Sequence, residues 1–198
     1  ESGEKNGDYV LARPSQNGAL SVKGTQLVDE QGQAVQLRGI STHGIAWFPD
    51  FVNQDAVNQL GSEFGANLFR IAMYTDENGG YCTDGDKAKL KQLVLDGVAY
   101  AKQADMYVIV DWHILHDNNP LTHKDEALQF FEEMTEQLKN EKHVIYEICN
   151  EPNGDANWED IKAYAGEVLP VIRKNAPEAV VLIGTPTWSQ EIDKPQND

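Results

Sequence analysis

The stretch His143-Val144-Ile145-Tyr146-Glu147-Ile148-Cys149-Asn150-Glu151-Pro152 is an apolar run that breaks, at its carboxyl end, into an amide, a carboxylate and a proline. Its length and β-branched residues predict a buried strand over residues 144–149. Three other segments have the same form, residues 35–43, 67–74 and 106–113, each apolar and then abruptly polar. In parallel α/β folds function collects at the carboxyl ends of the strands, so the four polar ends predict one active-site face.

Working outward, residues 35–40, 67–73, 106–110, 144–149 and 180–183 read as strands, and residues 55–64, 86–104, 124–138 and 158–175 as helices with an apolar stripe at helical spacing. Covering both faces of such a sheet requires helices between the strands, which makes the class α/β. The first strand is followed by Arg38-Gly39-Ile40-Ser41-Thr42-His43-Gly44, which lacks the glycine spacing of a dinucleotide-binding open sheet. A (β/α)₈ TIM barrel is the alternative, and its usual length of roughly 250 residues exceeds what is present. Residues 185–190 resemble a βα loop, with no helix expected over residues 192–198. At the other end, residues 1–18 are expected to be a loose leader. Residues 19–198 form the barrel portion, preceded by a hairpin at 19–28 that plugs one end of it.

The 198 residues carry 16 Lys+Arg against 32 Asp+Glu, a formal charge of −16. Such a surface repels phosphate backbones and anionic membranes, so neither nucleic acid nor membrane is expected as a partner, and a neutral or cationic ligand fits better. Cys82 and Cys149 are too few for a disulfide framework; two free thiols are the first expectation, with a pairing between them left open. Neither a signal peptide nor a membrane span is expected from these residues, and a start at Glu1 without Met is compatible with a processed, secreted chain.

Glu151 is the candidate proton donor: a carboxyl at a strand end, partly buried, can protonate a glycosidic oxygen. Asn150 beside it suits a sugar hydroxyl. The bland alternative is a polar pair that caps the next helix. Glycoside hydrolysis needs a second carboxylate, and neither Asp111 nor Glu147 can be assigned to that role, while Asp76, Glu77 and Asp84 are expected to be solvent-exposed. Arg70 interrupts an apolar strand and must find acceptors inside the fold. His43 and His113 follow the first and third strands and approach one cleft, without the spacing of a metal site. Trp47, Trp112 and Trp188, with Phe48 and Tyr74, fall after strands, where aromatic faces can stack on sugars. Trp158 begins a helix and is expected to pack.

Four segments, Val35-Gln36-Leu37-Arg38-Gly39-Ile40-Ser41-Thr42-His43-Gly44, Phe69-Arg70-Ile71-Ala72-Met73-Tyr74, Val108-Ile109-Val110-Asp111-Trp112-His113 and Val144 through Asn150-Glu151-Pro152, carry a close resemblance to the family 5 glycoside hydrolases, above all bacterial endo-β-1,4-glucanases, from about residue 20 to 190. The resemblance implies a (β/α)₈ barrel, of which about five βα units are in this chain, and a retaining hydrolysis of β-1,4-glucan with no cofactor or metal. It implies Glu151 as general acid/base, Asn150 as the residue on the 2-hydroxyl, Arg70 as support for the nucleophile and His113 as a cleft histidine. His43, Trp47, Tyr74 and Trp188 are implied in substrate binding. The family's nucleophilic glutamate has no position in these residues. The expected partner is therefore a carboxyl-terminal portion of the same catalytic domain, without which this chain lacks the nucleophile. A carbohydrate-binding fragment, or a related β-mannanase, xylanase or lichenase, is the alternative.

Overall fold

Asn67, fully buried ahead of the second long strand, ties the amino-terminal segments to the sheet. Its Oδ1 accepts from the Arg38 N–H at 2.6 Å and its Nδ2 donates to the Ala12 and Gln36 carbonyls, each at 2.9 Å. The computed structural model describes residues 9–198. Val10–Leu11 (β1) pairs in parallel with Val35–Gln36 (β4), and between them lie the turn Pro14–Asn17 (α1) and the antiparallel hairpin Ser21–Lys23 (β2) and Gln26–Val28 (β3). The expected loose leader is thus corrected from residue 9 onward, its first eight residues lying outside those described. Ser15 is bonded through both its N–H and its hydroxyl to the Asp105 carboxylate, at 2.8 and 2.6 Å, and the Asn17 side chain donates to Asp29 at 2.8 Å.

The main sheet has five parallel strands: Gly39–Ser41 (β5), Leu68–Tyr74 (β6), Tyr107–His113 (β7), Val144–Glu147 (β8) and Val181–Leu182 (β9). Their spatial order is their chain order. A doubly wound sheet reverses direction at a switch point, whereas a barrel wall runs on without reversal, so this is a partial (β/α)₈ barrel. The helices Gln54–Ser62 (α2), Lys87–Gln103 (α3), Lys124–Leu138 (α4) and Trp158–Asn175 (α5) follow β5 to β8, and the short Pro186–Ser189 (α6) follows β9. Among the described residues no helix is long and apolar enough to cross a membrane.

Alternation along the strands divides the molecule. Phe69, Ile71, Met73, Val108, Val110, Trp112, Val144 and Tyr146 point outward into the main core, with Val94, Val98, Phe130, Phe131, Val168 and Ile172 from the helices. Each large side chain buried there contributes about 1.5–3 kcal/mol. At the amino ends of the strands, Tyr107, Ile109, Ile145 and Val180 pack with Ala12, Leu20 and Val35 from the leading segments, forming an apolar floor. The inward positions above this floor include Arg70, Ala72, Tyr74, Asp111, His113 and Glu147, and the register aligns Ala72 with Asp111 and Asp111 with Glu147.

Several predicted elements differ in extent; the strands expected over residues 144–149 and 180–183 are shorter, Val144–Glu147 and Val181–Leu182. The strand expected over residues 35–40 is two pieces, because the chain leaves the ladder at Leu37 and Arg38, where the Arg38 backbone bonds Asn67. The strand expected to end at Val110 continues to His113, since its inward positions there face a polar interior. The helix expected over residues 55–64 ends at Ser62, and Phe64 beyond it is 70 % exposed.

Candidate active site

Arg70 stands in the middle of β6, two residues above the apolar floor, where a guanidinium needs acceptors from neighbouring strands. Glu147 on β8 supplies two: Nε donates to Oε2 at 2.7 Å and Nη2 to Oε1 at 2.9 Å. Nη2 also reaches Asn150 Oδ1 and Asp111 Oδ2, both at 2.8 Å, and Nη1 donates to Ser41 Oγ at 3.1 Å. Burial pulls the guanidinium toward losing its proton, but Glu147 and Asp111 outweigh it and the net shift is upward. Burial likewise pushes the Glu147 carboxyl up, against the pull of Arg70. The two-pronged geometry requires an acceptor at each Glu147 oxygen, the arrangement of an ionised carboxylate.

The contacts then close on themselves. Because Arg70 takes the oxygen of the Asn150 amide, the amide nitrogen must face the other way. It donates to the Ile114 carbonyl and to His113 Nε2, each at 3.2 Å. His113 is then an acceptor at Nε2 and carries its proton on Nδ1, which donates to Asp111 Oδ2 at 2.6 Å. Asp111, fully buried, returns the circuit to Arg70. Thr75 Oγ1 donates to the His113 carbonyl at 3.3 Å and to the buried Asp117 at 2.7 Å. Burial, opposed by this hydrogen bond, raises the Asp117 carboxyl.

Glu151 follows Asn150 and is half-buried. Its carboxylate makes no hydrogen bond among the described residues, whereas its backbone carbonyl is held by Asn153 Nδ2 at 2.9 Å. The turn that carries it is braced from the next loop. The Gly184 N–H donates to the Cys149 carbonyl at 3.1 Å, the Trp188 N–H to the Pro152 carbonyl at 3.0 Å, and Ser189 Oγ to the Asn150 carbonyl at 3.2 Å. Only glycine fits at 184: a Cβ would overlap the Asn150 carbonyl and come within 2.7 Å of the Cys149 oxygen and 2.8 Å of Pro152 Cδ. Thr187, Trp188 and Ser189 all lie in the left-handed region, with φ of 56°, 54° and 61°. At about 1–2 kcal/mol each this is a strained turn beside the chemistry. It leaves the Trp188 ring 52 % exposed.

On the β5 side, His43 Nδ1 accepts from the Gly44 N–H at 3.0 Å and faces the Tyr74 hydroxyl at 2.9 Å, leaving Nε2 as the protonated nitrogen. The Tyr74 ring occupies the space a side chain at 44 would fill, and burial raises its phenol pKa. Trp47 stacks beside His43, ring centres 6.0 Å apart, meets Tyr74 edge-on at 5.0 Å, and donates its indole N–H to the Asn78 carbonyl at 2.7 Å. Tyr74 reaches His113 at 5.2 Å between ring centres, which joins this aromatic group to the charged circuit.

The structure therefore gathers Arg70, His113, Asn150, His43, Tyr74 and Trp47 on one polar face, with Glu151 on the adjoining turn and Trp188 bonded through its N–H to Pro152 of that turn. Trp112 corrects the expectation of a sugar-facing ring: it lies within β7, points outward and packs against Tyr81 and Phe130. The acidic loop is corrected as well. Asp84 is exposed and accepts from the Gly79 N–H at 2.6 Å, but Asp76 is half-buried against His123 at 2.7 Å. Glu77 is 1 % exposed because the buried turn after β7 needs an acceptor for the His116 N–H, which it meets at 3.0 Å. Sequence reasoning did not find Ser41, Gly184 or Ser189. Small residues after short strands carry no periodic signal, and only pairing across strands shows what they touch. Among the described residues no cluster of His, Cys, Asp and Glu could hold a metal ion, and Cys82 and Cys149 are free. A separate cavity of about 450 Å³, lined by Leu20, Tyr107, Val144 and Val180, lies at the opposite, amino end of the sheet and away from these groups.

The model of the family Cellulase (glycosyl hydrolase family 5) matches residues 28–198. The chain is 47 % identical over 178 residues to endoglucanase A of Butyrivibrio fibrisolvens, covering 89 % of this chain and 41 % of that protein. It is 48 % identical over 185 residues to an endoglucanase of Clostridium saccharobutylicum, covering 92 % and 40 %. The chain thus spans about two fifths of the length of these relatives. Among solved structures, the catalytic domain of Thermobifida fusca endoglucanase Cel5A in complex with cellotetraose superposes with a TM-score of 0.84 at 41 % identity, covering 90 % of this chain and 57 % of that one.

Proposed function

Since this chain belongs to glycosyl hydrolase family 5, we propose that it supplies the proton-donor half of a retaining endo-β-1,4-glucanase site, with Glu151 as general acid/base. The observation that carries the reading is the contrast between Glu151, whose carboxylate has no hydrogen-bond partner among the described residues, and Glu147, whose two oxygens are both held by Arg70. Glu147 is a positioning group in this account, and the carboxylate that attacks the sugar comes from a portion of the catalytic domain outside these residues.

In the first step Glu151 gives its proton to the glycosidic oxygen as the C1–O bond breaks, and the second carboxylate forms an ester to C1. In the next step Glu151, now ionised, takes a proton from water as that water attacks C1 and displaces the carboxylate. The two carboxyl groups must stand about 5–5.5 Å apart for this course. Asn150 is held from three sides and presents a fixed amide edge to the sugar. The exposed rings of Trp47 and Trp188 offer faces for stacking. A β-1,4-glucan is favoured over mannan or xylan because the relatives quoted above are named endoglucanases and one superposable structure holds cellotetraose. A polymeric substrate of this kind places the protein outside the cell, which detection in culture medium of the source organism would test.

Glu151→Gln in the complete catalytic domain is expected to lower kcat by about 10²–10⁴-fold on β-1,4-glucan while leaving oligosaccharide binding largely intact. Turnover near the wild-type rate would remove Glu151 from the mechanism. Residues 1–198 alone are expected to be inactive and to gain activity when the rest of the domain is supplied.

A further inference from the structure

The sequence contains the dipeptide Asn-Gly four times, at 6–7, 17–18, 78–79 and 153–154. This pair is prone to close on itself, because glycine has no side chain to shield its nitrogen or restrict its backbone, and that nitrogen can attack the asparagine carboxamide to form a five-membered imide. At two of the pairs the fold opposes closure. Asn17 and Asn153 are each 7 % exposed with their carboxamides tied. Asn17 accepts from the Arg13 N–H and donates to Asp29, both at 2.8 Å, and Asn153 donates to the Leu115 and Glu151 carbonyls at 3.4 and 2.9 Å. The Gly18 N–H is engaged as well, donating to the Pro14 carbonyl at 3.0 Å. Asn6 lies outside the described residues.

Asn78 differs in each respect. It stands on the loop after β6, a strand paired on both sides and so set in from the open edges of the sheet. Its side chain is exposed and makes no hydrogen bond among the described residues. Gly79 follows with φ of 75°, and a Cβ built there would meet only the Ala46 Cβ, at 3.9 Å, so the turn is uncrowded. The Gly79 N–H donates to Asp84 Oδ1 at 2.6 Å, and this bond holds the Asp84 carboxyl below its usual range, so that it is ionised near neutrality. Thr83 Oγ1 fixes the carboxylate in place, donating to Asp84 Oδ1 at 3.3 Å and to the Glu77 carbonyl at 2.6 Å. The attacking nitrogen therefore already has an acceptor for the proton it must lose.

We propose that Asn78 is a self-modification site, at which the Gly79 nitrogen closes on the Asn78 carboxamide with Asp84 as the base. The N–Cγ bond forms as the Gly79 proton passes to Asp84; that proton then goes to the departing amide nitrogen, which leaves as ammonia. Water opens the imide. Addition at Cγ leaves an ordinary aspartate, whereas addition at the main-chain carbonyl leaves an isoaspartate, in which the chain runs through Cβ and Cγ and the former carbonyl becomes a free carboxylate. Water is the only co-reactant. The position matters because the Asn78 carbonyl accepts the Trp47 indole N–H at 2.7 Å. Isoaspartate takes that acceptor out of the chain and lengthens the loop by one atom, so Trp47 loses the bond that sets its ring edge-on to Tyr74. The consequence for substrate rests on the glucanase reading above; the ring closure does not.

The test ages the complete catalytic domain in mildly alkaline buffer as wild type, D84N and N78Q, and follows each Asn-Gly pair by peptide mass spectrometry and by isoaspartyl methylation. D84N keeps an oxygen for the Gly79 N–H but removes the base, and N78Q keeps an amide but must close a larger ring. Conversion is expected at Asn78 ahead of Asn17 and Asn153, absent in N78Q, and about tenfold slower in D84N, less than the usual 10²–10⁴ for a positioned base because this carboxylate is a weak one. Aged wild type is expected to show a KM for β-1,4-glucan raised about two- to tenfold, the worth of one hydrogen bond, with kcat held; aged N78Q is expected to keep its starting KM. Conversion at Asn78 no faster than at the buried pairs would overturn the site, and equal or faster conversion in D84N would overturn the role of Asp84. An unchanged KM in converted enzyme would overturn the link to Trp47. Failure of fresh wild type to cleave β-1,4-glucan would instead overturn the glucanase reading, and leaves the mass readout standing.

Discussion

Arg70 Nη2 has two hydrogens and three oxygens within 2.9 Å, from Glu147, Asn150 and Asp111. Sharing of this kind polarises each bond in the circuit and ties the position of the Asn150 amide to three strands at once. A lysine keeps the charge but not the planar set of five donors, and it cannot meet Glu147 with two parallel bonds. R70K is therefore expected to cost about 2 kcal/mol of stability, read from urea unfolding, and to lower kcat more than it raises KM because the Asn150–Glu151 turn loosens. Stability within about 0.5 kcal/mol of wild type, with kcat unchanged, would mean that the circuit does not organise the site. At this scale the sequence was partly legible. Arg70 announces itself by interrupting an apolar strand, and Asn150 and Glu151 by ending one. Asp111 stayed unassigned and Ser41 unseen, since each takes its meaning from a neighbour 29 to 41 positions away in the chain that only the strand register brings beside it.

The elements were read best where a local rule and the burial pattern agree. Helices α4 and α5 fall on the residues predicted for them, α5 with Asn157 and Asp160 forming a reciprocal cap at its start. Strand ends were read less well, because an apolar run marks only the dry part of a strand and β7 continues for three residues into a polar interior. One contact between elements gives a pH dependence. His143 leads into β8, is 3 % exposed, and donates its Nε2–H to the Val98 carbonyl of α3 at 3.0 Å, which makes Nε2 the protonated nitrogen. Burial lowers its pKa below the usual 6.5, against the opposing pull of that carbonyl and Glu141. The unfolded chain therefore takes up a proton before the folded one does, so this residue's share of stability is whole above pH 6.5 and declines as pH falls from there toward the depressed folded value. H143Q should flatten the stability difference measured by urea unfolding between about pH 7.5 and about pH 5.5; an unaltered slope would place the titration elsewhere.

As a whole the molecule is a strongly acidic body built around a sheet whose outer strands, β5 and β9, each pair on one side only. Unpaired strand edges invite association, and a large net charge of one sign opposes it. That opposition disappears near the isoelectric point, about 4.6. Light scattering from residues 1–198 should rise as pH approaches that value and be least near neutrality; a flat profile would show that the edges are protected by other means. The α/β class was legible from alternating strand and helix patterns, and the barrel from the family resemblance, whereas the pinning of residues 9–18 was not, because it rests on distant partners such as Asn67 and Asp105 that only the fold brings beside them.

The inward set Arg70, Ala72 and Tyr74 occupies alternate positions of β6, with Phe69, Ile71 and Met73 turned to the helices. Parity therefore governs how such a wall can change over evolutionary time. Loss of one residue within β6 would send the guanidinium among the phenylalanines of the core and a methionine into the cleft, whereas loss of a pair would shift the row and keep its sides. Loops in this scaffold are free to drift in length one residue at a time; the strands that bear its chemistry can be edited only by twos.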